Sequence, residues 1–265
     1  MKLGTFAQFS RNAHRLREVV GVLAKYGLAH WVKEKDPEFI KELLKSSGGE
    51  QISELPTEVR IRMAITELGT TFIKLGQILS TRADLVGPAI ADELTKLQAD
   101  VPADAEEAVR RTVESELGQP LEELYAEFDL QALGSASIGQ VHRAKLNSGE
   151  TVVVKVQHDN IEPVIDDDLE ILRILAEAAE NYSPDLRLYQ PRATVADFSR
   201  NLKRELDYRR ELRSLNQFTQ NFADDDWVCI PVTYPELSSR RVLTMEMFDG
   251  YSIANTERMD QDGID

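Results

Sequence analysis

A single cysteine, Cys229, among 265 residues excludes an internal disulfide framework and fits a reducing compartment. No apolar run approaches the roughly 18 residues that a membrane-spanning helix needs. The N-terminus also lacks the continuous apolar core and small-residue cleavage site of a secretory signal. Internal repeats and low-complexity tracts are missing as well. Basic charge is in deficit: 31 Lys and Arg stand against 46 Asp and Glu, leaving a net charge of −15. That balance argues against a general nucleic-acid binder, which needs a basic surface to displace counterions. These absences together predict a cytoplasmic protein with no nucleic-acid partner.

What is present fits a globular chain of one large domain or two modest ones, with 42% hydrophobic and 29% charged residues. The charge is unevenly placed. Residues 1 to 35 hold seven basic and two acidic side chains, a local +5, which leaves −20 on the remainder. Residues 8 to 30 read as a basic amphipathic helix with Leu16, Val19, Val20, Leu23 and Tyr26 on one side. Two fates suit that stripe: insertion at an anionic membrane surface, with Trp31 nearby, or packing inside the protein. The acidic runs Asp166–Asp168 and Asp224–Asp226 read as solvated surface.

Periodicity predicts an α+β domain behind a helical extension. "KSSGGEQ" at 45–51 has the composition of a linker. Helices are expected over 56–82 and 88–98, and from Pro102 or Asp104 to a stop at Gly118. "SIGQVHRAKL" and "TVVVKVQ", joined by "NSGE", form a hairpin signal. Helical patterns return over 164–180 and 193–222, followed by two further strands, "WVCIPVTYPEL" and "RVLTMEMF". The expected blocks are 1–50 (amphipathic helix and linker), 51–127 (helical extension), 128–248 (strand-bearing domain) and 249–265.

Several groups could carry chemistry. In "TELGTTFIKLGQILSTRADLVG" the residues Ile61, Ile65, Leu68, Phe72, Leu75 and Leu79 make one apolar stripe, while Thr70, Lys74, Gln77 and Thr81 share the opposite face. Gly69 and Gly76 interrupt that helix at a cost of about 1 kcal/mol each against alanine. Gly134, Ala136, Gly139 and Val141 fill the slots of a phosphate-covering G-x-G-x-x-G-x-V loop, with Ser135 and Ser137 between them. Ala136 departs from the glycine pattern, since its Cβ limits backbone freedom and approach. Lys155 lies on the face of its strand opposite Val152, Val154 and Val156, and an ammonium in so apolar a strand needs a partner. On a wheel drawn through 193–222, Glu205 falls beside the stripe of Phe198, Leu202 and Leu212, which makes it the expected partner. Lys74 competes for the same carboxylate. Asp207 falls on the opposite face. The last strand, "VLTMEMFDG", suits an adenine-binding hinge, with Met245 as gatekeeper, the Glu246 carbonyl as acceptor and the Phe248 N–H as donor.

"FIKLGQILSTRADLVGPAIADELTKLQADVP", "GSASIGQVHRAKL", "VVVKVQ" and "RELDYRREL" together resemble the signature of the UbiB family of atypical kinase-like proteins. The resemblance implies a protein-kinase-like N-lobe behind an extension carrying a K-x-G-Q motif, here Lys74, Gly76 and Gln77, which regulates the site. It implies an E-x-D motif at Glu205 and Asp207. It further implies ATP and Mg2+ as cofactors, and a role in ubiquinone or other isoprenoid-quinone metabolism beside the lipid and its biosynthetic enzymes. The catalytic-loop Asp, the metal-binding Asn and the D-F-G Asp of kinases have no counterpart up to Asp265, so most of a C-lobe is missing. The expectation is a piece of a longer atypical kinase or ATPase, with no turnover and no magnesium ligand of its own. The alternative is a non-catalytic nucleotide-sensing or lipid-binding module.

Overall fold

The computed structural model describes residues 3–28, 55–97, 101–182, 185–251 and 255–263. The expected 45–51 linker and Trp31 lie outside them. The described chain divides into two compact units, neither of them a single run of sequence. One comprises Met1–Asp104, Gly134–Gln140 and Gln157–Leu206; the other comprises Ala105–Leu133, Val141–Val156 and Asp207–Asp265.

The first unit is built of helices. Helix α1, Leu3–Lys25, is followed by α2, Thr57–Leu68, α3, Thr70–Ser80, α4, Ala83–Val86, and α5, Pro88–Leu94. The helix expected over 56–82 is broken at Gly69, whose backbone takes φ 91° and ψ −164°. An L side chain rarely adopts that conformation, so the glycine is a joint between two helices and not a weak point inside one. Gly76 does lie inside α3 and is buried. A Cβ there would stand 2.4 Å from Leu97 Cδ1 and 3.3 Å from Ile65 Cγ2, so its missing side chain permits close packing. The polar face is not freely solvated, since Lys74 and Gln77 are half-buried.

Helix α8, Ile161–Tyr182, and α9, Pro191–Glu205, complete this unit. Its core joins Val19, Leu68, Phe72, Ile165, Leu172, Phe198, Leu202 and Leu206. From α1, Val19 enters this core, with Leu16 and Leu23 partly buried against it. Arg15 fixes α1 further: its Nε donates to Asp168 Oδ1 at 2.7 Å, and Nη2 donates to the Leu68 carbonyl at 2.7 Å. Asp168 is only 1% exposed, so the expectation of a solvated acidic run fails at that residue.

The second unit holds the strand ladder. Antiparallel β1, Glu127–Phe128, β3, Gly139–Lys145, β4, Thr151–Gln157, and β5, Val242–Glu246, lie side by side in that order, and β2, Gly134–Ser135, pairs with β3. All of β2, the start of β3 at Gly139 and Gln140, and the last residue of β4, Gln157, cluster with the first unit. Val152, Val154, Val156 and Val242 pack with Val109 and Val113 of α6, Glu106–Leu117, and with Leu121 and Leu124 of α7, Leu121–Leu124. Helix α6 ends at Gly118 with φ 75°, the left-handed stop predicted for it. Its expected cap, Asp104, does not cap it; Ala105 occupies that position.

Two other expectations fail locally. The run 193–222 is two helices, α9 and α10, Tyr208–Asn221, because Asp207 leaves the helical conformation and its side chain accepts from Arg209 N at the start of the second. "WVCIPVTYPEL" forms no named strand. It contributes an isolated bridge between Thr233 and Met245 and a 3-10 turn at Pro235–Leu237, and Trp227 is 96% exposed. A final helix, α11, runs over Thr256–Asp262.

Candidate functional site

Strand β4 presents Lys155 from a valine run whose alternate members Val152, Val154 and Val156 are buried on the other face. Its ammonium lies 2.8 and 2.7 Å from the two carboxylate oxygens of Glu211. It also stands 5.2 Å from the centroid of the Tyr208 ring, within range of a cation–π contact. Both partners come from the first turn of α10. Asp207 begins that helix by accepting from Arg209 N at 3.2 Å, and Arg209 closes on the same carboxylate through Nε at 2.8 Å and Nη2 at 3.0 Å. The Arg209 hydrogen bonds hold the Asp207 carboxyl below its ordinary value. Tyr208 is buried and donates its backbone N–H to the Arg240 carbonyl at 3.0 Å. Burial, and then the Glu211 charge, push its phenol far above its ordinary value, so it stays neutral.

The strand lysine therefore has a helix glutamate, but Glu211 and not Glu205. Glu205 is the last residue of α9 and its side chain is 39% exposed, so it is not buried in the apolar stripe. Its carboxylate is held by Lys74 Nζ at 2.8 Å, the competing partner foreseen from the sequence. The wheel that placed Glu205 beside Leu212 ran across the break at Asp207. Glu211 and Tyr208 were missed for that reason. The available signal was Asp207 itself, a capping residue ahead of a new helical run.

The remaining site residues fall as follows. Lys74, Gly76, Gln77, Gly134, Ser135, Ala136, Ser137, Gly139 and Glu205 belong to the first unit, and Val141, Lys155, Asp207, Met245, Glu246 and Phe248 to the second. Gln77 Nε2 makes a long contact of 3.4 Å to the Leu97 carbonyl. The small-residue loop turns tightly: Ala136 N donates to the Gly139 carbonyl at 2.9 Å. At the end of β5, Glu246 N donates to the Val232 carbonyl at 2.8 Å and Met247 N to the Thr151 carbonyl at 3.3 Å. Among the described residues no partner engages the N–H of Phe248, which is half-exposed beyond them. Behind the ladder, the Tyr125 hydroxyl and Thr244 Oγ1 lie 2.8 Å apart, and burial pushes the Tyr125 phenol up to about 12.

A strand lysine paired with a helix glutamate is a kinase arrangement. A family model described as "ABC1 atypical kinase-like domain" matches residues 96–265. The chain belongs to the ABC1 atypical kinase-like family. The match takes in the loop, Lys155, Glu205 and Glu211, while Lys74, Gly76 and Gln77 precede it. "Probable protein kinase UbiB" of Pseudomonas fluorescens (strain SBW25) is 42% identical over 202 residues, 76% of this chain and 38% of that protein. The protein of the same description from Pseudomonas aeruginosa (strain PAO1) is 41% identical over 206 residues, 78% of this chain and 39% of that protein. The chain thus spans about two-fifths of the length of these curated relatives. Among solved structures, "The complex structure of Rv3197-erythromycin from Mycobacterium tuberculosis" matches 72% of this chain and 48% of that chain, with 26% identity and a TM-score of 0.52. The kinase-like mixture of helices and antiparallel sheet expected from the sequence is the fold that results.

Proposed function

We propose that this chain is the nucleotide-binding part of a UbiB-type atypical kinase or ATPase serving isoprenoid-quinone lipid metabolism. The observation that carries the nucleotide half is Lys155, held by both oxygens of Glu211 on a valine-rich strand. A lysine fixed in that way is a pre-oriented cation for the phosphates of ATP. Small residues from Gly134 to Val141 suit the approach of backbone N–H groups to phosphate oxygens. The unengaged N–H of Phe248 suits a donor to adenine, with the Glu246 carbonyl as acceptor and Met245 as the side chain behind it. The lipid half rests on the resemblance to the UbiB family, as does the reading of Lys74, Gly76 and Gln77 as a regulatory motif. In that reading Lys74 occupies Glu205 of the E-x-D pair.

Magnesium would neutralise and bridge the phosphates of bound ATP. No magnesium ligand is assigned to these residues. Asp207 is taken up by Arg209 and Glu211 by Lys155, and no three acidic, His or Cys side chains converge as a cation site among the described residues. The chain's own part is to bind and orient the nucleotide.

Calorimetric titration with ATP tests the proposal. Lys155→Ala is expected to weaken binding at least about tenfold, the size of a lost charge-assisted contact. Its thermal stability should change little, since the ion pair is partly exposed. Equal affinity in an equally stable variant would remove Lys155 from the site.

A further inference from the structure

Two residues beyond Lys155, on the same face of β4, lies a buried glutamine that the nucleotide reading does not use. Gln157 is 1% exposed, and its Nε2 donates to the Leu206 carbonyl at 2.7 Å. The acceptor is a carbonyl, so only the amide nitrogen of the glutamine can make this bond. Leu206 caps the end of α9, whose last residue is Glu205, and Asp207 caps the start of α10. Gln157 thus grips the chain at the break between the helix that carries Glu205 and the helix that carries Glu211. Gln157 and Leu206 belong to the first unit, Lys155 and Glu211 to the second, and the peptide chain itself links the two contacts.

The glutamine stands in for a bond that the break removes. In a helix running unbroken from α9 into α10, Tyr208 N would donate to the Arg204 carbonyl and Arg210 N to the Leu206 carbonyl. Instead Tyr208 N donates to the Arg240 carbonyl at 3.0 Å, and Arg210 N to the Asp207 carbonyl at 2.9 Å. The Leu206 carbonyl has lost its helical donor, and Leu206 is buried, so an unpaired acceptor there would be costly. Gln157 supplies the missing donor. A methionine of the same length would fill the space without donating. The carbonyl would then be satisfied best by Arg210 N, which runs the two helices together. The direction of Glu211 would follow the register of α9 and no longer its own cap at Asp207.

We propose that Gln157 is the positioning residue of the Lys155–Glu211 pair. By satisfying the Leu206 carbonyl it keeps α9 and α10 separate helices, and so fixes which glutamate holds the strand lysine. Removal of its amide donor loosens the start of α10 and frees the lysine. The consequence for ATP affinity rests on the reading of Lys155 as the phosphate-binding cation; the positioning itself does not.

Competitive acetylation of the nucleotide-free chain, read residue by residue by mass spectrometry, tests the positioning. Lys155 should react at least about threefold faster in Gln157→Met than in the wild type, the size of a loosened, partly exposed ion pair. Glu211→Gln sets the upper limit, a lysine without its carboxylate. Ile165→Val alters the core of the first unit and should leave Lys155 at the wild-type rate, which separates positioning from a general loss of stability. No acceleration in Gln157→Met, or equal acceleration in Ile165→Val, would overturn the proposal. The wild type gives a second reading by NMR that needs no variant. The side-chain amide protons of Gln157 should exchange at least about tenfold more slowly than those of exposed Gln217. Equal exchange would also overturn it. ATP titration in parallel separates the two claims. Lys155 released in Gln157→Met, in a chain whose wild type binds no ATP, would uphold the positioning and sink the nucleotide reading. ATP binding in the wild type, with Lys155 reactivity and affinity unmoved in Gln157→Met, would sink the positioning alone.

Discussion

At the scale of single residues, the pairings decide what each charge can do. Lys155 was legible as a strand lysine in need of a carboxylate, because the alternation of valines around it is visible in the sequence. Its partner was not, because choosing between Glu205 and Glu211 required knowing where one helix ends. Asp207 settles that point, and its role is testable by pH. Arg209 holds its carboxyl below the ordinary aspartate value. The folded-state value is therefore lower than the unfolded one, so the stabilisation is complete above the unfolded value and is lost as pH falls through the folded one. Asp207→Asn keeps a capping side chain but cannot ionise. The wild type should exceed this variant in melting temperature at neutral pH, with the gap closing below about pH 4. A gap that does not depend on pH would mean that Arg209 contributes nothing through charge.

At the scale of elements, two glycines that look alike in sequence do different work. Gly69 breaks the backbone into α2 and α3 at φ 91°, with open space where a side chain would go. Gly76 is helical and faces Leu97 and Ile65. Propensity treats both as defects in one helix, and only tertiary packing separates them. Gly69→Ala should cost about 1–3 kcal/mol from backbone strain. Gly76→Ala gains about 1 kcal/mol of helix propensity but must displace buried Leu97, for a net loss of about 1 kcal/mol. Thermal melts read both, and a raised melting temperature for either variant would contradict its assigned role. The docking of α1 is equally open to test. Arg15→Met would leave the buried Asp168 carboxylate without its arginine, and should destabilise by about 3 kcal/mol. An unchanged melt would show that α1 does not depend on that pair.

At the scale of the whole molecule, the fold class, the hairpin, the Gly118 stop and the β5 strand could all be read from the sequence, because each carries a local signal of period or turn. The composition of the two units could not. Each gathers separated runs of chain, Asp104 with His158 in one and Ala105 with Asp207 in the other, and that grouping depends on long-range packing. The family could be read from the motifs, while the binding of ATP at Lys155 remains the central proposal. The most direct measurement is labelling with an acyl-phosphate derivative of ATP, which acylates a lysine amine lying against the nucleotide phosphates. Digestion and mass spectrometry would then locate the modified residue. Lys155 should be modified, and excess ATP should suppress that modification while leaving other lysines unaffected. Labelling of Lys155 that is indifferent to ATP, or ATP-sensitive labelling confined to other lysines, would contradict a nucleotide site built on Lys155.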